Sequence, residues 1–168
     1  MTAHAGMKRG FSLVELVVVI VIIGILAAIA IPRLSRGSTG AAQSAVAASL
    51  ATIRNAVSLY ATEHNNTFPG PDAAGFVNKL TTYTDIGGTT NLSKTTTFRF
   101  GPYLAAIPPC PVGENTGQPT ANQVLVVASS PPVPDPAGGE GWVFNATTGE
   151  FLPNTTVQDD AGTPFNTY

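Results

Sequence analysis

The sequence predicts an α+β fold in which one long amino-terminal helix, membrane-spanning in its first half, packs by its second half on a small antiparallel β-sheet. Three observations carry that expectation: an apolar run from Phe11 to Ile31, an apolar stripe at helical spacing beyond it, and a shift to Gly, Pro, Thr and Asn after residue 65. They divide the chain into a basic leader (1–10), a transmembrane helix (11–31), its amphipathic continuation (32–64) and a β-rich head (65–168). At 168 residues there is room for one domain and an anchor. Only 11% of residues are charged and the formal net charge is −2, so no basic field exists to hold nucleic acid by its phosphates. The single cysteine, Cys110, allows neither an internal disulfide nor a cysteine-cluster metal site.

The run FSLVELVVVIVIIGILAAIAI has Ser12 and Glu15 as its only polar side chains, and about 20 apolar residues suffice to span a bilayer. Its Val and Ile content would suit a strand, but a strand of this length would be about three times the usual size, so length decides for a helix. Lys8 and Arg9 stand just before it, as at an end held in the cytoplasm, while Arg33 and Arg36 follow it, so charge counting alone gives a tie. A secretory signal peptide cleaved near Ala28-Ile29-Ala30 is the competing reading. Such signals have an apolar core of roughly 7 to 15 residues, and this run is longer and contains a carboxylate.

A charge inside a membrane segment costs roughly 2.5 to 3.5 kcal/mol at the centre and less near the end, so Glu15 marks a partner or a function. No Lys, Arg or His lies between Phe11 and Pro32. Its partner is expected from another chain or from a newly made terminus.

The string Lys8-Arg9-Gly10-Phe11-Ser12-Leu13-Val14-Glu15-Leu16 resembles the type III signal of type IV pilins and type II secretion pseudopilins. The resemblance implies a pilin-like fold, cleavage by a prepilin peptidase between Gly10 and Phe11, N-methylation of Phe11, and Glu15 as the assembly residue. The residue types suit those roles. Gly10, lacking a side chain, lets a protease approach the backbone closely. Cleavage creates an amine that can neutralise Glu15 of a neighbouring subunit, and in low dielectric such a pair sets register between helices. Translation from Met1 or from Met7 leads to the same mature chain.

Within the run, Gly24 and Ala28 stand four residues apart, with Ala27 and Ala30 nearby, offering small surfaces to another helix or a plain face to lipid. Pro32 removes a backbone donor and predicts a kink or local opening, and the family shows a proline in the corresponding stretch. Gly37 and Gly40 make a weak place in the helix. Val46, Leu50, Ile53, Val57 and Tyr60 then follow at spacings of four, three, four and three, predicting an amphipathic helix docked on the head and fraying near Asn65 and Asn66. Continuous over 11–64, it would be roughly 80 Å long at 1.5 Å per residue.

Predicted strands are Thr95–Phe100, Val124–Ser129, Gly141–Asn145 and Glu150–Leu152. Ala146-Thr147-Thr148-Gly149 forms the turn between the last two, and Phe76–Leu80 adds a helical turn. Gly101-Pro102-Tyr103-Leu104, Ile107-Pro108 and Gly141-Trp142-Val143-Phe144-Asn145 are similar to heads of major, G-type pseudopilins. That resemblance implies calcium in the carboxyl-terminal loops. Asp135, Glu140, Asp159 and Asp160 are the available acids, but no spacing assigns a ligand set.

Catalysis finds little support. His64 is the one histidine outside the leader, and no Ser-His-Asp or Cys-His set has a geometric reason. Gly138-Gly139-Glu140-Gly141 lacks the Lys-Ser/Thr ending of a phosphate loop and reads as a plain turn, with Cys110 as a buried or loop thiol. Asn-x-Ser/Thr triplets at Asn65, Asn91, Asn145 and Asn154 carry no prediction. The expected function is structural: a pseudopilin of a type II secretion system, anchored in the inner membrane with its head outside the cytoplasm. A motility, adhesion or DNA-uptake type IV pilin is one alternative, and a membrane-tethered enzyme or binding module another. The family implies as partners other pilins or pseudopilins, a prepilin peptidase, a platform protein and an assembly ATPase.

Overall fold

The computed structural model describes residues 11–168, except for the side chains of 29–39. Gly10 and the rest of the leader therefore lie outside the described residues, as does the side chain of Pro32, on which the predicted kink rests. The chain forms two compact units, Met1–Ser38 and Thr39–Tyr168. Helix α1, Leu13–Glu63, contributes to both.

In the first unit the apolar side chains are uncovered. The large ones from Phe11 to Leu26 are 44% to 83% exposed, all round the helix. A helix apolar on every side needs cover from lipid or from other protein. Among the described residues no helix is long and apolar enough to cross a membrane. The described side chains end at Ala28, inside the apolar run.

In the second unit the predicted stripe is the core seam: Val46, Leu50, Ile53, Val57 and Tyr60 are all buried. Helix α2, Ala73–Thr81, starts where Asp72 Oδ1 accepts from the Gly75 N–H at 2.8 Å. The turn expected over Phe76–Leu80 is the buried part of this longer helix. Instead of fraying, α1 ends in a closed cap. Asn65 and Asn66 adopt left-handed φ of 54° and 63°, and the Asn66 N–H donates back to the Ala61 carbonyl at 2.8 Å.

The sheet departs from expectation. Strands β1 (Tyr83–Thr84) and β2 (Thr90–Asn91) form a two-stranded antiparallel pair. Strands β3 (Val124–Val127), β4 (Trp142–Asn145) and β5 (Phe151–Pro153) form a second sheet with β4 in the middle. The β4–β5 pair is antiparallel as predicted, but β3–β4 is parallel, so the sheet is mixed. Parallel neighbours need a connection of about a dozen residues or more, and the proline-rich segment 128–141 supplies it through a 3₁₀ turn at Pro136–Gly138. Thr95–Phe100 is not a strand. The Thr95 N–H turns inward to the Phe98 carbonyl at 3.1 Å, and only Phe100 pairs, as a single bridge with Thr84. Thr95 to Thr97 are exposed, so no burial rewards their β preference.

The predicted hairpin turn is present. Asn145 Oδ1 accepts from the Thr147 and Thr148 N–H groups at 2.8 and 3.0 Å, and Gly149 closes the turn at φ 77°. The core between helix and sheet gathers Phe76, Trp142, Phe144 and Phe151, with the Trp142 and Phe151 rings 5.3 Å apart. Arg54, on α1, donates from Nε and Nη2 to the Phe151 carbonyl at 3.1 and 2.9 Å and from Nη2 to the Tyr168 carbonyl. One guanidinium thus ties the helix to β5 and to the last turn of the chain.

Candidate functional site

The amino-terminal segment carries the predicted chemistry, and its geometry begins with Ser12. That residue stands just before α1, and its Oγ accepts from the Val14 N–H at 3.3 Å. Glu15, three residues on, turns back so that its Oε2 accepts from the Ser12 N–H at 2.8 Å. This is a reciprocal capping box, in which the side chains at its two ends satisfy backbone donors that the helix leaves without partners. Glu15 therefore has a hydrogen-bond donor in its own chain, while the cation expected from another chain or a new terminus lies outside the described residues. The signal was present as Ser-x-x-Glu before an apolar run. A count of charges does not reveal it, because the donor is a backbone N–H. Phe11, just ahead of the cap, is 83% exposed.

The structure disperses the remaining candidates. His64 is buried: its Nδ1 lies 2.8 Å from the Tyr60 carbonyl and its Nε2 3.0 Å from Thr84 Oγ1. A carbonyl only accepts, so Nδ1 carries the proton and Nε2 accepts from the threonine hydroxyl. The ring stacks on Tyr60 at 3.9 Å, leaving no nitrogen free to act on a substrate. Cys110 is buried with its Sγ 3.3 Å from the Val112 carbonyl, and burial pushes the thiol up to about 11, away from the thiolate a nucleophile needs.

The four carboxyl-terminal acids do not converge on one site. Asp135 Oδ1 caps the 3₁₀ turn through the Ala137 N–H, and Asp159 accepts from the Ala161 and Thr163 N–H groups and from the Tyr168 hydroxyl. Among the described residues Glu140 has a buried Oε2 without a donor. Among the described residues no three His, Cys, Asp or Glu side chains lie close enough together to hold a metal. The Gly138–Gly141 loop is a turn held by side chains: Asn115 Nδ2 donates to the Pro136 and Glu140 carbonyls, and Thr120 Oγ1 to the Gly139 carbonyl. Of the Asn-x-Ser/Thr triplets, Asn145 and Asn154 are buried and hydrogen-bonded.

A polar cluster at the end of α1 does bear on stability. Burial, with the Asp85 charge nearby, pushes the Tyr60 phenol up to about 12. Burial and the hydrogen bond to Glu63 raise that of Tyr103, whose hydroxyl donates to Glu63 Oε2. A raised folded value means that the stabilisation is fully present below the unfolded value of about 10 and is lost as pH rises through the folded one. Alkaline unfolding is therefore expected between about pH 10 and about 12. Titration followed by tyrosinate absorbance and circular dichroism should show ionisation and unfolding together, and Tyr60→Phe should move the midpoint to higher pH.

Residues 6–31 match the family model of the prokaryotic N-terminal methylation motif. No curated protein and no solved structure matches the chain. The match spans the end of the leader, the expected cleavage junction, the Ser12–Glu15 cap and the whole apolar run. That segment of the chain is therefore similar to the N-terminal methylation motif of prokaryotic, pilin-like proteins.

Proposed function

We propose that this chain is the structural subunit of a pilus-like filament, a pseudopilin of a type II secretion system. A prepilin peptidase cuts it after Gly10 and methylates Phe11, and it assembles through its amino-terminal helix. The observation that carries the reading is the methylation motif at 6–31 laid over a helix whose apolar side chains are uncovered all round. Such a surface suits a bilayer before assembly and the helices of neighbouring subunits afterwards. The run Phe11–Ile31 is long enough to span, and because the flanking charges tie, it is the methylation motif that supports placing Lys8 and Arg9 on the cytoplasmic side and the head outside the cytoplasm. A filament also needs other pilins or pseudopilins, a platform protein and an assembly ATPase. The role is mechanical rather than catalytic, in keeping with a histidine and a thiol both committed to the core.

Preference for a pseudopilin over a motility or adhesive pilin rests on the head phrases around Gly101–Pro108 and Gly141–Phe151. Trp142, Phe144 and Phe151 of the second phrase form the centre of the core. The test is intact and amino-terminal peptide mass spectrometry on protein from its native membrane, joined to deletion of the gene. A chain beginning at N-methylated Phe11, with loss of an exported protein from the medium on deletion, is the expected result. Loss of surface pili and motility instead would favour the type IV pilin. A chain that keeps Lys8 and Arg9, or begins after Ala30, overturns the reading in favour of a tethered module or a secreted protein.

A further inference from the structure

We infer that two side-chain amides, those of Asn154 and Asn115, take over the role that the head resemblance gives to calcium: they cross-link the carboxyl-terminal loop 135–140, and the head closes without a cation. It is a property of the head alone and does not depend on the filament reading. Calcium binds through roughly six to eight oxygens, and in a loop these are carbonyls and acids. Here the Asp135, Pro136, Gly139 and Glu140 carbonyls face hydrogen-bond donors instead. Asn154, 2% exposed, accepts the Asp135 N–H on its Oδ1 at 2.7 Å and sends its Nδ2 to the Asp135 and Glu140 carbonyls, both at 2.9 Å. The Asp135 N–H must meet an oxygen, so the amide cannot turn over. Asn115 Nδ2 donates to the Pro136 and Glu140 carbonyls, both at 3.0 Å, and Thr120 Oγ1 to the Gly139 carbonyl at 2.7 Å. Both lone pairs of the Glu140 carbonyl are thereby used. An N–H and a cation compete for the same lone pairs, and the two NH2 groups, each carrying partial positive charge, stand where an ion would have to reach them. The acids supply no substitute set. Asp135 Oδ1 is committed to the Ala137 N–H, and Asp159 to the Ala161 and Thr163 N–H groups and the Tyr168 hydroxyl. Glu140 Oε2 has no donor among the described residues, but it packs against Gly138, where a Cβ would collide with it, and one oxygen is far short of a calcium shell. The Asn154 N–H also donates to the Gly141 carbonyl at 2.9 Å, so the residue that follows β5 closes the loop that leads into β4.

The test uses the full chain in micelles and follows thermal unfolding by circular dichroism in EDTA and in millimolar calcium, enough to fill sites as weak as those of extracellular modules. The wild-type midpoint should be the same in both. Asn154→Ala strips the Asp135 N–H of its acceptor and two carbonyls of a donor, and should lower the midpoint by about 10 °C, with no recovery in calcium. Asn115→Ala, at a half-buried position, should lower it by about 5 °C and keeps the comparison open if the first variant does not fold. NMR reads the amides directly: the side-chain NH2 protons of Asn154 should exchange slowly and keep their chemical shifts when calcium is added. A midpoint that falls in EDTA or rises in calcium, for wild type or either variant, would overturn the inference, because a ligand that binds the folded state raises its stability. Both variants as stable as wild type, or Asn154 amide protons that exchange freely, would overturn the role of the two amides. None of these readouts involves a filament, so failure of the filament reading is distinguishable from failure here.

Discussion

Trp142→Ala is expected to unfold most of the head's margin of stability, lowering it by about 3 to 5 kcal/mol in urea denaturation of the full chain in micelles. The residue is the only tryptophan, so the variant must be followed by circular dichroism rather than by indole fluorescence. Its side chain is wholly buried between α1 and the sheet, against the Phe151 ring. Its Nε1–H donates to the Pro108 carbonyl at 2.8 Å, pinning the loop that precedes Cys110. Neighbouring Gly141 leaves little room for relaxation, because a Cβ there would sit 2.0 Å from the Ala121 carbonyl oxygen. Small domains have only about 5 to 15 kcal/mol in total, so the loss is a large part of it. Trp142→Phe separates the two contributions. It keeps much of the apolar volume but leaves the Pro108 carbonyl without its donor, an expected loss of about 1 to 3 kcal/mol. A Trp142→Ala variant as stable as the parent would show that the core is not organised around this ring.

The second large effect concerns Glu15. Glu15→Leu is expected to enter the membrane at least as well as wild type, since it removes a charge that costs up to roughly 2.5 to 3.5 kcal/mol in a span. It should nevertheless abolish filaments, because no carboxylate remains to meet a neighbour's amine. Glu15→Gln should keep a side-chain acceptor for the Ser12 N–H while losing the charge. It should therefore retain amide protection and still assemble poorly, which separates capping from charge pairing. Membrane fractionation and filament sedimentation measure the two effects independently. Normal filaments from Glu15→Leu would overturn the assembly role of Glu15.

Much of this was legible because it is local. The stripe Val46, Leu50, Ile53, Val57 and Tyr60 is set by spacing, and all five face the core. The turn at 146–149 could be read from its own residues, since Asn145 and Gly149 need only their immediate neighbours to form it. Even the Ser12–Glu15 cap is a four-residue pattern, available to a reading that looked for donors as well as cations.

What could not be read is what depends on distant partners. Thr95–Phe100 has the composition of a strand, yet only Phe100 finds a neighbour to pair with. The direction of β3 against β4 depends on how segment 128–141 crosses the fold, which no local pattern encodes. Arg54 is a clamp only because folding brings the Phe151 and Tyr168 carbonyls to it. The partners of His64 are likewise set by folding, which buries it between Tyr60 and Thr84. By itself the sequence determined the apolar amino terminus with its methylation motif and the helix that follows, because short motifs and helical periodicity act over a few residues. Only the tertiary structure decided the mixed sheet and the partners of the buried polar groups, because those are contacts between segments whose separation along the chain carries no record of their pairing.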